Sequence, residues 1–224
     1  MDSKKILIIS THADDETFGM GGTLYNFSSS LKYQLYWLIV TSIWEPKWNK
    51  ELINSRETAI QQIAKIINFK EVIRWHYKDN YLDTIPINEL QEKMINLLDN
   101  IKPNVIFTPS PWDFNFEHRI CFDLIQMSTK LFYSSYITDI IAYEIPSSTE
   151  ASYPSFSKFN VNLYYKIEDF IENKIELIKK YESELHPFPH PRSIEYINAL
   201  AQVRGAESGC KYAEGFHIFR KVVK

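Results

Sequence analysis

Two short segments gather most of the groups able to bind a metal or move a proton. Thr11-His12-Ala13-Asp14-Asp15-Glu16 and Trp112-Asp113-Phe114-Asn115-Phe116-Glu117-His118 together hold two imidazoles and five carboxylates. Crowding that much negative charge into one place is costly unless a cation compensates it or protons are shared. Two histidines and a carboxylate, with one position left for water, make up the ligand set of a catalytic zinc site; oxygen-only magnesium sites have less use for imidazole. Singly, each piece has an ordinary explanation. An acidic run suits a helix N-terminus through the dipole, and a lone histidine at a helix start is more often structural than a ligand. The pairing is what points to a metal, and it depends on where the chain puts the two loops.

Hydrophobic periodicity puts them side by side. Lys5-Ile6-Leu7-Ile8-Ile9-Ser10 reads as a strand buried on both faces, as do residues 35–41. Residues 51–67 repeat apolar positions at helical spacing. A third strand is expected at 72–76, a helix at 87–101 ending before Pro103, and a strand at 105–107. That strand runs into Thr108-Pro109-Ser110-Pro111, which cannot stay helical. A helix over 117–132 and a strand over 139–143 follow. The alternation predicts βαβ units, hence an α/β fold: a Rossmann-like, mostly parallel sheet with helices on both faces. In such sheets ligands bind beyond the carboxyl ends of the strands, where both acidic loops lie. The last third reads as a loop at 146–154, weak alternation at 160–165, and a helix over 167–181. After it come the rigid run His186-Pro187-Phe188-Pro189-His190-Pro191 and a helix over 194–203. With no linker-like composition and no repeat, residues 1–224 read as a single domain.

Glycine is scarce, six in 224 residues, where average usage gives roughly sixteen. Three of the six are Gly19, Gly21 and Gly22, before a helix expected at 23–30. A dinucleotide-binding turn is disfavoured, because the order is G-x-G-G and no basic residue stands near to meet a phosphate. Phosphate beside Asp14, Asp15 and Glu16 would also be repelled. The glycines instead read as the bare start of the helix, packed close to the sheet. The remaining composition, 45% hydrophobic and 24% charged with a formal net charge of −3, excludes a disordered chain and gives no electrostatic reason to bind nucleic acid or an anionic membrane. No apolar run is long enough to span a bilayer. Cys121 and Cys210 have no metal-like spacing and read as reduced thiols of a cytoplasmic protein.

The H-x-D-D-E loop followed by Gly19-Met20-Gly21-Gly22-Thr23, with a distant acidic-histidine pair, resembles the PIG-L/LmbE-type metal-dependent de-N-acetylases. The resemblance runs on through Arg56-Glu57-Thr58-Ala59, Thr108-Pro109, Glu117-His118-Arg119, Tyr143-Glu144-Ile145-Pro146 and Tyr181-Glu182-Ser183. It continues through His190-Pro191-Arg192-Ser193, Arg204-Gly205 and Tyr212-Ala213-Glu214-Gly215-Phe216. It implies Zn²⁺ held by His12, Asp15 and His118, with Asp14 as general base and then acid. It further implies cleavage of an acetyl amide from an N-acetylglucosamine-like amino sugar or its conjugate by metal-bound water. Arg56 and Asp79 match positions that contact the sugar. Two departures stand out. Ala13 replaces the usual proline of the first loop, and Asn115 stands where relatives carry a histidine that steadies the oxyanion. Asn115 has an amide to donate but no charge to offer. Glu117 is placed to orient a neighbouring ligand or Asp14 from outside the ligand set.

Other residues are expected at the same edge. Trp44 and Trp48 flank Pro46 after the second strand and suit a lid that stacks on a sugar face, or a loop pinned by its own rings; Trp112 invites the same two readings. His190 and Arg192 sit in the proline-stiffened segment, as pocket residues or as a packing strap. His76 reads as structural and His217 as surface. The expectation is a zinc-dependent hydrolase acting on a small amino-sugar substrate, with no nucleic-acid partner, no membrane-spanning segment, and homo-oligomers left open. The alternatives are another amide hydrolase on the same metal site, such as a deformylase or conjugate amidase, or a non-catalytic sugar-binding relative.

Overall fold

The computed structural model describes residues 3–153 and 158–223, so Pro154, at the end of the expected 146–154 loop, lies outside the described residues. The chain folds as β1 Lys4–Ser10, α1 Asp15–Ser28, β2 Tyr33–Ser42, α2 Lys50–Ile67, β3 Glu71–Lys78, α3 Ile87–Ile101 and β4 Val105–Pro109. It continues with α4 Phe116–Ser128, β5 Asp139–Tyr143, β6 Leu163–Lys166, α5 Ile171–Ile178, α6 Ile194–Ser208 and β7 Ala213–Lys221. One sheet takes the order β3-β2-β1-β4-β5-β7-β6. The first five strands in that order are parallel, and β7 is antiparallel to both β5 and β6.

Alternation along the buried strands divides the core. Ile6, Ile8, Trp37, Ile39 and Phe107 pack with α1, α2, α5 and α6. Leu7, Ile9, Leu38, Val40 and Ile106 face the other way, onto α3 and α4. This is the double burial that a continuous apolar strand anticipates. The strand order reverses at β1 and β4, which pair from Ile6↔Val105 to Ile8↔Phe107. The loops leaving these two strands therefore border one crevice, the usual ligand position in such a sheet.

Three expectations need correction. The glycines do not open a helix at residue 23; α1 already begins at Asp15, and the glycines lie inside it. The helix is two segments joined at Met20, whose φ −140° and ψ 24° are non-helical. The Glu214 carboxylate caps the second segment, accepting from Gly22 N at 3.0 Å, Thr23 N at 2.7 Å and Thr23 Oγ1 at 2.6 Å. Lys174 Nζ balances it at 2.6 Å. The expected helix at 23–30 is this second segment. The second correction is that α4 stops at Ser128, where Thr129 Oγ1 turns back onto the Ile125 carbonyl at 2.7 Å. The third is β7, which the sequence reading lacked, because its Gly-Phe-His-Ile-Phe-Arg run shows no sharp apolar alternation.

Gly19 is the close approach that the two segments of α1 require. A Cβ there would lie 2.4 Å from Tyr143 Cδ2 and 2.8 Å from the Glu144 carbonyl oxygen. Tyr143 cannot yield, because its hydroxyl donates to the Ile9 carbonyl at 2.6 Å. Gly19→Ala is therefore expected to destabilise the fold by about 2–3 kcal/mol through overpacking, read as a lowered denaturant midpoint with unchanged slope. A stability equal to that of the parent would contradict this packing.

Candidate active site

The first acidic loop is held by backbone contacts before any side chain acts. Thr41 clamps the Thr11 carbonyl through its N–H at 2.9 Å and its hydroxyl at 2.7 Å. The amide of Asp14 then turns back onto the His12 carbonyl at 3.0 Å. Asp15, first residue of α1, accepts the His12 N–H through Oδ2 at 2.8 Å, which leaves Oδ1 buried with no hydrogen-bond partner. Across the crevice, Asn115 caps α4 by accepting from Glu117 N at 2.9 Å, and the first turn of that helix presents His118.

The two imidazoles face each other. His12 Nδ1 lies 3.2 Å from His118 Nε2, and Asp15 Oδ1 lies 3.4 Å from the same His118 atom. The outer ring nitrogens point at carboxylates: His12 Nε2 at Glu117 Oε2 and His118 Nδ1 at Asp113 Oδ2, each 2.8 Å away. A carboxylate in this position accepts, so each outer nitrogen carries the hydrogen and each inner nitrogen turns its lone pair inward. Two lone pairs and an orphaned carboxylate oxygen converging within 4.8 Å of one another suit a metal ion. Protons fill the place of the cation otherwise. Burial works against charge on His12, yet the hydrogen bonds to Asp15 and Glu117 outweigh it and push the imidazole up to about 10. For His118 the same burial is overcome by the Asp15 charge and the Asp113 bond, giving about 9. Asp15 is held well below the usual carboxylate range, the His118 charge overcoming the effect of burial.

The other acids divide by role. Glu16 is fully buried and burial raises it to about 8, with the Thr17 and Ser10 hydroxyls only partly offsetting this. It is therefore neutral near pH 7 and bonds Ser10 at 2.7 Å, not the metal group. Glu117 stands behind the His12 ring, and its second oxygen accepts from Leu82 N at 3.0 Å. Asp113 was not singled out from sequence; its signal was a carboxylate five residues before His118.

Asp14 has one oxygen occupied and one free. Arg192 Nη1 lies 2.9 Å from Oδ2 and Arg56 Nη1 lies 3.5 Å from it, while Oδ1 is buried without a partner. Arg56 also donates to the Ala13 carbonyl at 2.8 Å, which supports the loop where the family's proline is missing. Burial opposes charge on both guanidiniums, but the Asp14 and Glu184 carboxylates outweigh it and raise both groups. Arg56, His12 and Asp79 line one small cavity. Asp79 Oδ2 accepts from Lys47 at 3.1 Å and from Trp48 Nε1 at 3.4 Å, pinning the Trp44/Trp48 loop at that cavity. Trp112 turns away and packs on His217 and Phe219 of β7. His190 is not among the groups on Asp14; it accepts from Arg192 N and stacks on His186.

Residues 7–127 match the family model PIG-L, described as GlcNAc-PI de-N-acetylase. The chain belongs to the PIG-L family. A diacetylchitobiose deacetylase of Thermococcus kodakarensis is 24% identical over 227 residues, spanning 96% of this chain and 82% of the relative. The solved N,N′-diacetylchitobiose deacetylase of Pyrococcus horikoshii superposes with a TM-score of 0.73 at 22% identity, over 98% of this chain and 85% of that one. GalB, the 4-carboxy-2-hydroxymuconate hydratase of Pseudomonas putida, shares the fold with a TM-score of 0.76 at 16% identity, over 99% and 98%. Structural likeness at these identities establishes the fold; the PIG-L match establishes the family.

The raised imidazoles set a pH dependence. In metal-free protein their folded pKa values of about 10 and 9 lie above the ordinary 6.5. The stability they contribute is therefore complete below pH 6.5 and is lost as pH rises through 9 to 10. Zn²⁺ must displace a proton from each imidazole, so its apparent affinity should rise with pH between 6 and 8. Calorimetry in buffers of different ionisation enthalpy reads the release, and binding without proton release would contradict the arrangement. Glu117→Gln and Asp113→Asn should each weaken Zn²⁺ binding about 10–100-fold, measured by chelator competition; unchanged affinity would remove them from the orienting role.

Proposed function

We propose that this chain is a zinc-dependent hydrolase that removes the N-acetyl group from an N-acetylglucosamine-like amino sugar or its conjugate. The observation that carries the reading is the convergence of His12 Nδ1, Asp15 Oδ1 and His118 Nε2 beside the unpartnered Asp14 Oδ1. Family membership and the named activities of the Thermococcus and Pyrococcus deacetylases support the amide as the bond cleaved. Zinc held by those three atoms supplies a Lewis acid for the amide carbonyl and makes a water more acidic.

The chain's own groups do the rest. Glu117 and Asp113 fix the tautomers and ring planes of the ligands. Asp14 Oδ1 takes the proton of the attacking water and returns it to the leaving nitrogen, which amide cleavage needs because an unprotonated amine leaves poorly. Asn115 spends its Oδ1 on the helix cap and keeps its Nδ2 to donate to the developing oxyanion. Arg56 and Asp79 contact the sugar from the cavity wall, where Asp79 Oδ1 is buried without a partner. The free thiols Cys121 and Cys210 suit the reducing cytoplasm, and among the described residues no helix is long and apolar enough to cross a membrane.

Zinc-loaded protein incubated with a panel of N-acetylated sugars should release acetate, seen by mass spectrometry as loss of one acetyl group. Full turnover by metal-stripped protein would end the metal mechanism. Asp14→Asn should keep its zinc but lose at least about 10²-fold in rate, and an undiminished rate would remove Asp14 from the role of base.

A further inference from the structure

Asp14 belongs to a closed ring of four charges that the sequence did not reveal. Arg192 Nη1 bridges Asp14 Oδ2 at 2.9 Å and Glu184 Oε2 at 2.6 Å. Arg56 presents Nη1 to the same Asp14 oxygen at 3.5 Å and Nη2 to Glu184 Oε1. Two guanidiniums thus meet two carboxylates, with no net charge left over. The four come from distant points of the chain. Asp14 leaves β1, Arg56 lies on α2, Glu184 ends the 3₁₀ segment Lys179–Glu184, and Arg192 closes the proline-rich strap. Each guanidinium lies over an aromatic ring, Arg56 over Tyr181 at 5.3 Å and Arg192 over Phe18 at 4.8 Å. Arg192 Nε is fixed on Ser147 Oγ at 3.0 Å.

We propose that Glu184 is a positioning residue for the reaction: by gripping both guanidiniums it keeps them on Asp14 Oδ2 and off Oδ1. The inference rests on the reading of Asp14 as the base. Two adjacent cations facing a single carboxylate would each take an oxygen, since paired guanidinium–carboxylate bonds are the strongest arrangement open to them. That would cover Oδ1, the one atom left to receive a proton. Glu184 removes the competition by giving each guanidinium a second anion. It touches neither the metal group nor Asp79 and reaches the cavity only through Arg56, so its loss should act more on turnover than on binding.

The test is a double-mutant cycle on the zinc-loaded enzyme. Glu184→Gln should lower kcat about 10–100-fold, with zinc affinity within about threefold of the parent and KM rising far less than kcat falls. In the Asp14→Asn background the same change should cost nothing further, because its effect passes through Asp14. A normal kcat, a full effect persisting in the Asp14→Asn background, or parallel loss of KM or zinc affinity would each overturn the proposal. Arg192→Lys, which keeps the charge but loses the planar fork and the Nε bond to Ser147 that fix its position, should give the same kcat-selective loss and serves if Glu184→Gln fails to fold. A readout independent of turnover is the crystal structure of Glu184→Gln, where a guanidinium should move onto Asp14 Oδ1; an Oδ1 left clear would refute the idea. Undiminished activity of Asp14→Asn would sink the base itself, whereas an inactive Asp14→Asn with a normal Glu184→Gln would sink only the role of Glu184.

Discussion

The site depends on one constraint: the inner imidazole nitrogens, His12 Nδ1 and His118 Nε2, are held face to face at 3.2 Å with no cation to come between them but a metal or protons. Left alone, that arrangement repels, and it persists because each ring is tethered from behind by a buried carboxylate, Glu117 for His12 and Asp113 for His118. Asp15 follows the same rule, with Oδ2 tied to the His12 amide and Oδ1 left over. Every ligand has one end satisfied by protein and the other turned inward. The fold supplies the convergence, since β1 and β4 are neighbours at the point where strand order reverses, and the loops beyond them cannot avoid one another.

What lies beyond residue 127, where the family match ends, is not decoration. Tyr143 on β5 bonds the Ile9 carbonyl and fills the space at Gly19, fixing α1 against the end of β1. Glu214 on β7, paired with the buried Lys174 of α5, caps the second segment of α1. A buried ion pair stabilises little in itself, but here its anion also satisfies backbone N–H groups that the break at Met20 would leave without partners. The three converging side chains precede residue 127; their angle of approach is set in part by the chain beyond it.

Much of this was legible from the sequence because it rests on local rules. Continuous β-branched runs gave β1 and β2, helical spacing gave α2 and α3, and the boundaries at Pro103 and Asp139 held to the residue. The convergence of His12, Asp15 and His118 was readable because their residue types and loop positions agree. The misses that bear on the site share one cause, which is contact across long sequence separation. The break in α1 depends on Glu214, 192 residues from Gly22. The ring around Asp14 needs Arg192, 178 residues away. No spacing within a segment encodes either. The glycines illustrate the limit: their meaning as close-approach points was read correctly, but their place inside a helix was not, because the partner surfaces are Tyr143, Ile167 and Lys174.

The likeness to a hydratase as well as to deacetylases shows that this fold does not by itself choose the reaction. Hydration and amide hydrolysis share the need to activate a water, which a metal with an adjacent carboxylate meets in either case. They part at the second proton, which hydrolysis must deliver to a leaving nitrogen. That delivery needs a base whose geometry survives the first transfer. Asp14, held through one oxygen by two guanidiniums and free at the other, has such a geometry. The groups bordering it are the Asn115 cap, the Arg56–Asp79 cavity and the Trp44/Trp48 loop pinned there. Departures from the family pattern at Ala13 and Asn115 lie in this surrounding shell and not among the ligands.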